Sequence, residues 1–563
     1  MQKRWIIKDV DFKKQKELSA ALSVHPVIAR VLINRGIDSV AAAQHFLNAE
    51  LSDLGDPFLF KDMHKAVRRV NEAKLKGEKV LVFGDYDVDG VTSSALMHDL
   101  FKKIGIKIIN HIPHRFHDGY GLNQDIVEDA LKEKVTLLIT VDCGISAMRE
   151  VDVLNANGID VIILDHHEPS EELPKAYAII NPKQKDCPYP FKDFASVGLV
   201  AKFAQALLGK IPEDDLDLVA MGTIADIVPL VGENRIFVKH GLPKAMTTKN
   251  VGLSALIETA KIKDKALKPY HVGFVLGPRI NAAGRMDSAH AALDLFLCED
   301  RAEALRLAKT LDQFNQQRQK MQKDVVDQAV EIIEQSVNFN KEKVIVLSKE
   351  GWHKGVLGIV ASKITEKYYR PAIIISLNEA GIGTASARSI DGFHLHEALT
   401  SCASCLENFG GHEGAAGLTI KQKNIDPFKI LINEFARELL EVEKLTPIVE
   451  IESEIDLKDA TLKLAEIINN LEPFGEANPQ PIFCSRNLLL KGYPQLLGKD
   501  TLKFWVTDGQ VTVSAVGFGM AKYRDLVVLG QPIDLAYHVS IDDWNKAPTA
   551  QLMLKDIRLS EEG

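Results

Sequence analysis

Asp85, Asp87 and Asp89 alternate in the run Asp85-Tyr86-Asp87-Val88-Asp89-Gly90, directly after the apolar stretch KVLVFG. Alternate carboxylates at a strand end crowd negative charge that repels itself unless a cation neutralises it, so the spacing points to a divalent ion held by oxygen ligands. The same pattern opens an EF-hand calcium loop, but that loop needs a preceding helix and a bidentate Glu at its twelfth position, which is Leu96 here. Solvated turn carboxylates are the other reading of this run alone. Two more apolar runs end in similar groups: TLLITVD closes on Asp142-Cys143-Gly144, and DVIILD on Asp165-His166-His167. Asp226 sits among apolar residues in MGTIADIVPL, where an ionised carboxylate is costly to bury without a cation or a donor. Singly, Asp142 and Asp226 could each cap a helix, and His166 could be a satisfied core histidine. Together they form an oxygen-rich set with an imidazole, which suits Mn²⁺ or Mg²⁺ better than structural Zn²⁺ and matches the ligand chemistry of two-metal hydrolysis.

Such a set needs a scaffold that gathers it. From about residue 77 to 230, the runs KVLVFG, IKIINHI, TLLITVD and DVIILD alternate with helical patterns such as VTSSALMHDLFKKI. That order predicts an α/β domain with a doubly wound parallel sheet, whose working residues lie at the carboxyl ends of its strands. Before it, ELSAALSVHPVIARVLINRG and SVAAAQHFLN read as short helices, with Gly36 as a stop. After it, the stretch from about 298 to 336 lacks Gly and Pro and reads as one long connecting helix. KVIVLS, AIIISL, GIGTASARS and GGHEGAAGLTI describe a second, smaller α/β domain, and the short strand-like runs from about 445 onward describe a small β-barrel.

Composition bounds these readings. A chain of 563 residues, 46% hydrophobic and 26% charged, is long enough for several cores and is multidomain. The formal charge of −9 does not decide the substrate, because a nucleic-acid enzyme can concentrate its cations in one groove. Six scattered cysteines predict no disulfide framework, and the single CxxC pair, Cys402 and Cys405, reads as helix packing. Lys8 and Asp9 break the amino-terminal apolar run, so neither a signal peptide nor a membrane span is expected, and the cytoplasm is the expected location.

The order DYDVDG, VDCG, DHH and then an isolated aspartate resembles the DHH superfamily of phosphodiesterases, named for the triplet present here as Asp165-His166-His167. The likeness covers most of the chain. Within that superfamily the long helix, GGHEGAAG and LEPFGEANPQPIF resemble the bacterial RecJ family of single-strand-specific exonucleases. The resemblance implies a helical segment over 1–50, a DHH catalytic domain over 51–297, a connecting helix over 298–340, a DHH-associated substrate-binding domain over 341–444 and an OB-like barrel over 445–563. It implies that Asp87, Asp89, Asp142, His166 and Asp226 bind two Mn²⁺ or Mg²⁺ ions, with Asp142 between them and Asp85 alongside, and that His167 contacts the scissile phosphate.

Phosphate flanking the cut bond suits planar guanidinium groups. The candidates are His114 and Arg115 after the second strand; Arg279, Asn281 and Arg285 in GPRINAAGRMDS, whose glycines are expected to let backbone approach a ligand; and Ser386, Arg388, Gly411 and His412 in the second domain. Without the resemblance, ordinary surface arginine remains the other reading of these arginines. Trp505, Phe518 and Trp544 could stack bases or fill the barrel core. The resemblance further implies 5′-to-3′ hydrolysis of single-stranded DNA to 5′-mononucleotides in recombination and repair. Single-strand-binding protein and a RecQ-type helicase are the implied partners, and the chain is expected to be a monomer.

Two other readings remain at this point. A DHH phosphodiesterase for short oligoribonucleotides, cyclic dinucleotides or pyrophosphate would not need the barrel, and a non-enzymatic DHH scaffold would not need an intact ligand set. Gly381-Ile382-Gly383 lacks the third glycine of a dinucleotide fingerprint, His412-Glu413 lacks the second His of a zinc protease, and no P-loop is present.

Overall fold

Alternate residues of strand β1 (Lys79–Gly84) enter two different hydrophobic cores: Val80 and Val82 one, Leu81 and Phe83 the other. A strand covered on both faces must read as a continuous apolar run, which is why KVLVFG does. The computed structural model describes residues 3–9, 11–114, 121–262, 266–286, 289–441, 443–543 and 547–560. β1 is flanked by β2 (Lys107–His111) and β3 (Leu137–Val141), followed by β4 (Asp160–Leu164) and β5 (Ala178–Ile180). All neighbours are parallel, in the order β2-β1-β3-β4-β5. The chain leaves β1 toward one edge and returns to β3 on the other side, so the sheet's topological switch point lies between β1 and β3.

Helix α1 (Val88–Ile104) shows how the local sequence sets its limits. Asp87 at its N-cap accepts a hydrogen bond from the Gly90 backbone at 3.1 Å, and Gly105 closes it in the left-handed region at φ 78°. α2 (Ser196–Leu208) and α3 (Leu216–Ala225) bury nearly all of their residues beside it.

The chain divides into two units. The larger comprises Ile6–Asp312 and Val449–Gly563, and the smaller comprises Met1–Trp5 and Gln313–Ile448. In the larger unit a seven-stranded sheet closes into a barrel, because its strand Phe483–Leu490 pairs both with Ile533–Asp542 and, through Leu489 and Leu490, with Thr501–Thr507. The barrel shares one hydrophobic core with the amino-terminal helices: Ile28, Leu32 and Phe46 join Ile468, Phe483 and Tyr537. The barrel-core reading of two aromatics fails, since Trp505 is 49% and Phe518 69% exposed. Trp544 lies outside the described residues.

The long helix Arg301–Ser336 starts in the larger unit and contributes Gln313 onward to the smaller one. The smaller unit's five-stranded sheet runs Leu406–Gly411, Ala415–Lys421, Ile382–Arg388, Ala372–Leu377, Ile345–Glu350, with only the last pair parallel. Cys402 and Cys405 are free thiols buried in its core. Among the described residues, no helix is long and apolar enough to cross a membrane.

Candidate metal centre

Asp85 follows β1, Asp142 follows β3 and Asp165 follows β4, so three carboxylates stand at adjacent carboxyl ends of the sheet, on both sides of the switch point. All three are at most 4% exposed. Backbone geometry is bent to place them. Asp142 sits at φ 66°, and Ile227, immediately after Asp226, at φ 60°, a conformation that costs a β-branched residue about 1–3 kcal/mol. Gly90 is required for a different reason: a Cβ there would lie 2.3 Å from the Asp85 backbone oxygen. At Gly222 on α3, a Cβ would meet Thr92 Oγ1 at 2.4 Å and Asp89 Oδ1 at 2.9 Å, so only a glycine lets α3 bring Asp226 against α1.

The donor atoms form overlapping sets, each with ligand atoms within 4.8 Å of one another: Asp85, Asp87 and Asp142; Asp89, His166 and Asp226; and Asp142, His166 and His167. The first two are linked where His166 Nε2 lies 3.3 Å from Asp142 Oδ1 and 3.5 Å from Asp226 Oδ2. Both carboxylate oxygens of Asp89 accept from α2, taking the N–H of Ser196 at 2.6 Å and of Val197 at 2.9 Å. Ala195, the N-cap of α2, has no side-chain acceptor, so Asp89 caps that helix from outside while its remaining lone pairs stay available.

The electrostatics suit a bound cation. Burial and then the charges of Asp89 and Asp87 push Asp142 well above the usual carboxylate range. Burial and the same two charges raise Asp226 to about 9, and burial with Asp87 raises Asp89 to about 7. Burial, then the neighbouring His167, lowers His166 to about 4, keeping it the neutral imidazole a metal needs. His166 Nε2 and Asp226 Oδ2 are buried and make no hydrogen bond. Buried oxygen ligands that resist ionisation for want of counter-charge, with one neutral imidazole, suit a hard divalent ion of the Mg²⁺ or Mn²⁺ kind.

Asp165 differs from the others. Burial opposes its ionisation, but the hydrogen bond from His167 Nδ1 at 2.7 Å, the charge of His167 and backbone donors from Ile145 at 3.0 Å and His167 at 3.1 Å together outweigh it and lower its pKa. The triplet therefore divides its labour: Asp165 holds His167 through Nδ1, and His166 turns into the acidic pocket. Burial lowers the His167 pKa, yet the bond and charge of Asp165 leave it raised overall.

The helix Gly277–Met286 carries Arg279, Asn281 and Arg285. Its glycines do not form the expected ligand-facing backbone; they pack. A Cβ at Gly277 would lie 3.7 Å from Val88, and one at Gly284 would lie 3.4 Å from the Tyr86 backbone oxygen, which sets this helix against the acidic loop. Arg279 is tied to Asp312 at 2.9 Å and to the Val275 carbonyl at 2.7 Å, while Asn281 Oδ1 is buried without a hydrogen-bond partner. His114 lies three residues beyond β2, and Arg115 is outside the described residues. In the smaller unit, Ser386 and Arg388 project from the strand Ile382–Arg388, paired with Gly417 and Ala415. Gly411 pairs with Ala416 at φ 143°, and His412 donates its N–H to Ala415 at 2.9 Å. Gly358, not singled out in the sequence, opens a helix against this pair, where a Cβ would lie 3.1 Å from Ser386 Oγ and 3.2 Å from Arg388 Nη2.

Family profiles match this architecture in order: the DHH family N-terminal domain over residues 79–223, the DHHA1 domain over 341–438 and the RecJ OB domain over 451–556. The chain is 40% identical to the single-stranded-DNA-specific exonuclease RecJ of Bacillus subtilis over 99% of its own length and 71% of that protein. It is 32% identical to the enzyme of the same name from Escherichia coli, over 94% and 96% of the two chains. Its structure superimposes on the Mn²⁺ complex of RecJ from Thermus thermophilus with a TM-score of 0.84 at 29% identity, covering 99% of this chain and 80% of that one.

Proposed function

The chain belongs to the bacterial RecJ family of single-stranded-DNA-specific exonucleases, and from that premise we propose how its residues carry out the reaction. It is a metal-dependent nuclease of single-stranded DNA, and the observation that carries the reading is the buried acidic pocket at the sheet's switch point. Asp85, Asp87 and Asp142 would hold one divalent ion and Asp89, His166 and Asp226 a second, with Asp142 between them. When bound, such ions supply Lewis acidity and lower the pKa of coordinated water. His166 stays neutral because burial disfavours its charge, and His167, its Nδ1 held by Asp165, presents Nε2 to a phosphate oxygen. Asn281, Arg279 and Arg285, on the helix beside Tyr86, and His114 after β2 would grip phosphates on either side of the bond, a role the family resemblance extends to Arg115, which lies outside the described residues. Ser386, Arg388, Gly411 and His412 form a second substrate-facing group in the smaller unit.

The larger unit supplies a path for the strand. A groove of about 1070 Å³ begins at Ile224 and Ala225, next to Asp226, and continues to the barrel residues His538 and Lys555. Ile227, Tyr270 and Phe274 line it with 70%, 63% and 73% of their surface exposed, and the two rings stack at 5.2 Å, so apolar faces await bases beside the cleavage site. Trp505, half exposed on the barrel, is a further ring that could stack a base. The reading includes 5′-to-3′ polarity, release of 5′-mononucleotides, action as a monomer in the cytoplasm, and cooperation with single-strand-binding protein and a RecQ-type helicase in recombination and repair.

Digestion of single-stranded DNA labelled at either end, with Mn²⁺ present and products resolved by size, tests this directly. Label at the 5′ end should appear at once as mononucleotide, while 3′-labelled strands shorten progressively. Immediate release of the 3′ label would reverse the polarity, and equal cleavage of dinucleotides and long strands would favour the short-substrate reading.

A further inference from the structure

Arg235 is 1% exposed, and its guanidinium meets only backbone carbonyls: Phe46 at 3.1 Å, Leu471 at 2.9 Å and Asn470 at 3.5 Å. The ring of Phe46 lies 4.0 Å from it. Arg35, close by, bonds the Asn478 side chain and the Pro479 carbonyl, and its Nε is buried without a hydrogen-bond partner. Glu452 lends Arg35 some counter-charge but is itself engaged with Asn34 at 2.6 Å and Lys8 at 3.8 Å. For Arg235 the neighbouring charge is the other cation, and burial together with that repulsion holds it down at about 10. Buried charges are ordinarily matched by a formal counter-charge, because carbonyl dipoles offset only part of the desolvation cost.

Both arginines line a cavity of about 320 Å³ that contains none of the metal-centre residues. His45, Phe46, Val231 and Gly232 complete its walls. The fourteen-residue helix Gly232–Ala245 starts there, and Val231 at its N-cap has no side-chain acceptor, so the positive end of the helix opens on the same space. Three independent sources of positive potential thus converge, one of them a buried N–H donor with nothing to bond.

We infer that this cavity is a binding site for a phosphate group, carried by inorganic phosphate or by a mononucleotide. Planar guanidinium groups and helix N-termini both donate to phosphate oxygens, and the volume falls at the small end of ligand pockets, which span roughly 300–1,000 Å³. The site is also mechanically placed. The arginines hold Asn470, Leu471, Asn478 and Pro479 at the approach to the barrel, and Leu230, four residues after Asp226, donates its N–H to Glu476 in the same segment at 2.8 Å. An anion bound between the arginines relieves their repulsion and tightens the join between the metal-bearing segment and the barrel, so the product of the nuclease is a ligand that stabilises it.

The test is calorimetric titration of the full chain, kept in EDTA at low ionic strength so that metal-centre ions bind no phosphate. Inorganic phosphate, 5′-dAMP and deoxyadenosine are the probes. The first two should bind saturably and deoxyadenosine should not. Arg35→Gln should weaken binding at least about tenfold. Ala42→Glu, at an exposed position on the cavity wall, brings a carboxylate to the arginines while leaving their own hydrogen bonds in place, and should do the same even if Arg35→Gln fails to fold. Asp142→Asn should bind as wild type does, which separates this site from the nuclease reading. Similar affinities for phosphate and 5′-dAMP identify the phosphate alone as ligand, and much tighter 5′-dAMP identifies the nucleotide. Absence of saturable binding by the wild type, or unchanged affinity in Ala42→Glu, overturns the proposal.

Discussion

The acidic pocket and the arginine cavity are built on one principle with opposite signs. In each, the fold gathers buried like charges and pushes them toward neutrality: burial with neighbouring carboxylates moves Asp142, Asp89 and Asp226 upward, burial moves Arg35 downward against the opposing charge of Glu452, and burial with the charge of Arg35 moves Arg235 downward. They differ in how much of each group is already committed. Arg235 spends its nitrogens on three carbonyls in two segments, at Phe46 and at Asn470–Leu471, so it pins the structure as well as carrying charge. The carboxylates of Asp142 and Asp226 instead converge on a side chain, His166 Nε2, at 3.3 and 3.5 Å. One cluster is therefore a site first and structure second, and the other the reverse.

Substitution at the two centres should expose that difference. Asp142→Asn should lower hydrolysis of single-stranded DNA by at least about 10³-fold, because it removes a carboxylate of the first donor set that also lies 3.3 Å from His166 of the second. The same variant should unfold at a higher temperature than wild type in EDTA, since the amide neither takes up a proton nor carries a buried charge beside Asp89 and Asp87. Arg235→Met should do the opposite, costing about 2–4 kcal/mol in urea unfolding as three carbonyls lose their donor. If both variants destabilise equally, the contrast fails.

Smaller effects refine it. Asp165→Asn should reduce activity about 10–100-fold through misorientation of His167, with Mn²⁺ affinity largely kept. Comparable loss of metal binding would make Asp165 a ligand instead. In EDTA, the unfolded-state aspartates ionise near their usual pKa while Asp89 and Asp226 hold their protons up to about 7 and about 9. The folded state then binds more protons than the unfolded state between those limits, so metal-free stability should fall as pH rises, by up to about 1.4 kcal/mol per pH unit for each group. The stabilisation gained on adding Mn²⁺ should grow over the same interval, and a pH-independent gain would contradict the assigned ligands.

What could be read from sequence follows from how local each signal is. Asp85, Asp142 and the DHH triplet each end an apolar run, so strand pattern and chemistry coincide within a few residues. Asp226 was legible only as an acid in apolar company, and Gly222, which admits it to the pocket, gave no signal because its partners Thr92 and Asp89 are distant in the chain. The division between Asp165 and His166 depends on distances within two residues of chain, which no spacing encodes. The glycines of GPRINAAGRM looked like a ligand-facing backbone and are helix-packing positions. Arg35 and Arg235 belong to no motif, and they come together only because the amino-terminal helices join the barrel in one core, a pairing across most of the sequence.

The account stands most directly on one comparison: the rate of mononucleotide release from end-labelled single-stranded DNA by wild type and Asp142→Asn across a Mn²⁺ titration. Wild type should be inactive in EDTA and rise saturably with Mn²⁺, while the variant stays near background throughout. Wild-type rates in Asp142→Asn at any Mn²⁺ concentration, or undiminished wild-type activity in EDTA, would contradict the claim that this buried acidic pocket is the catalytic metal centre.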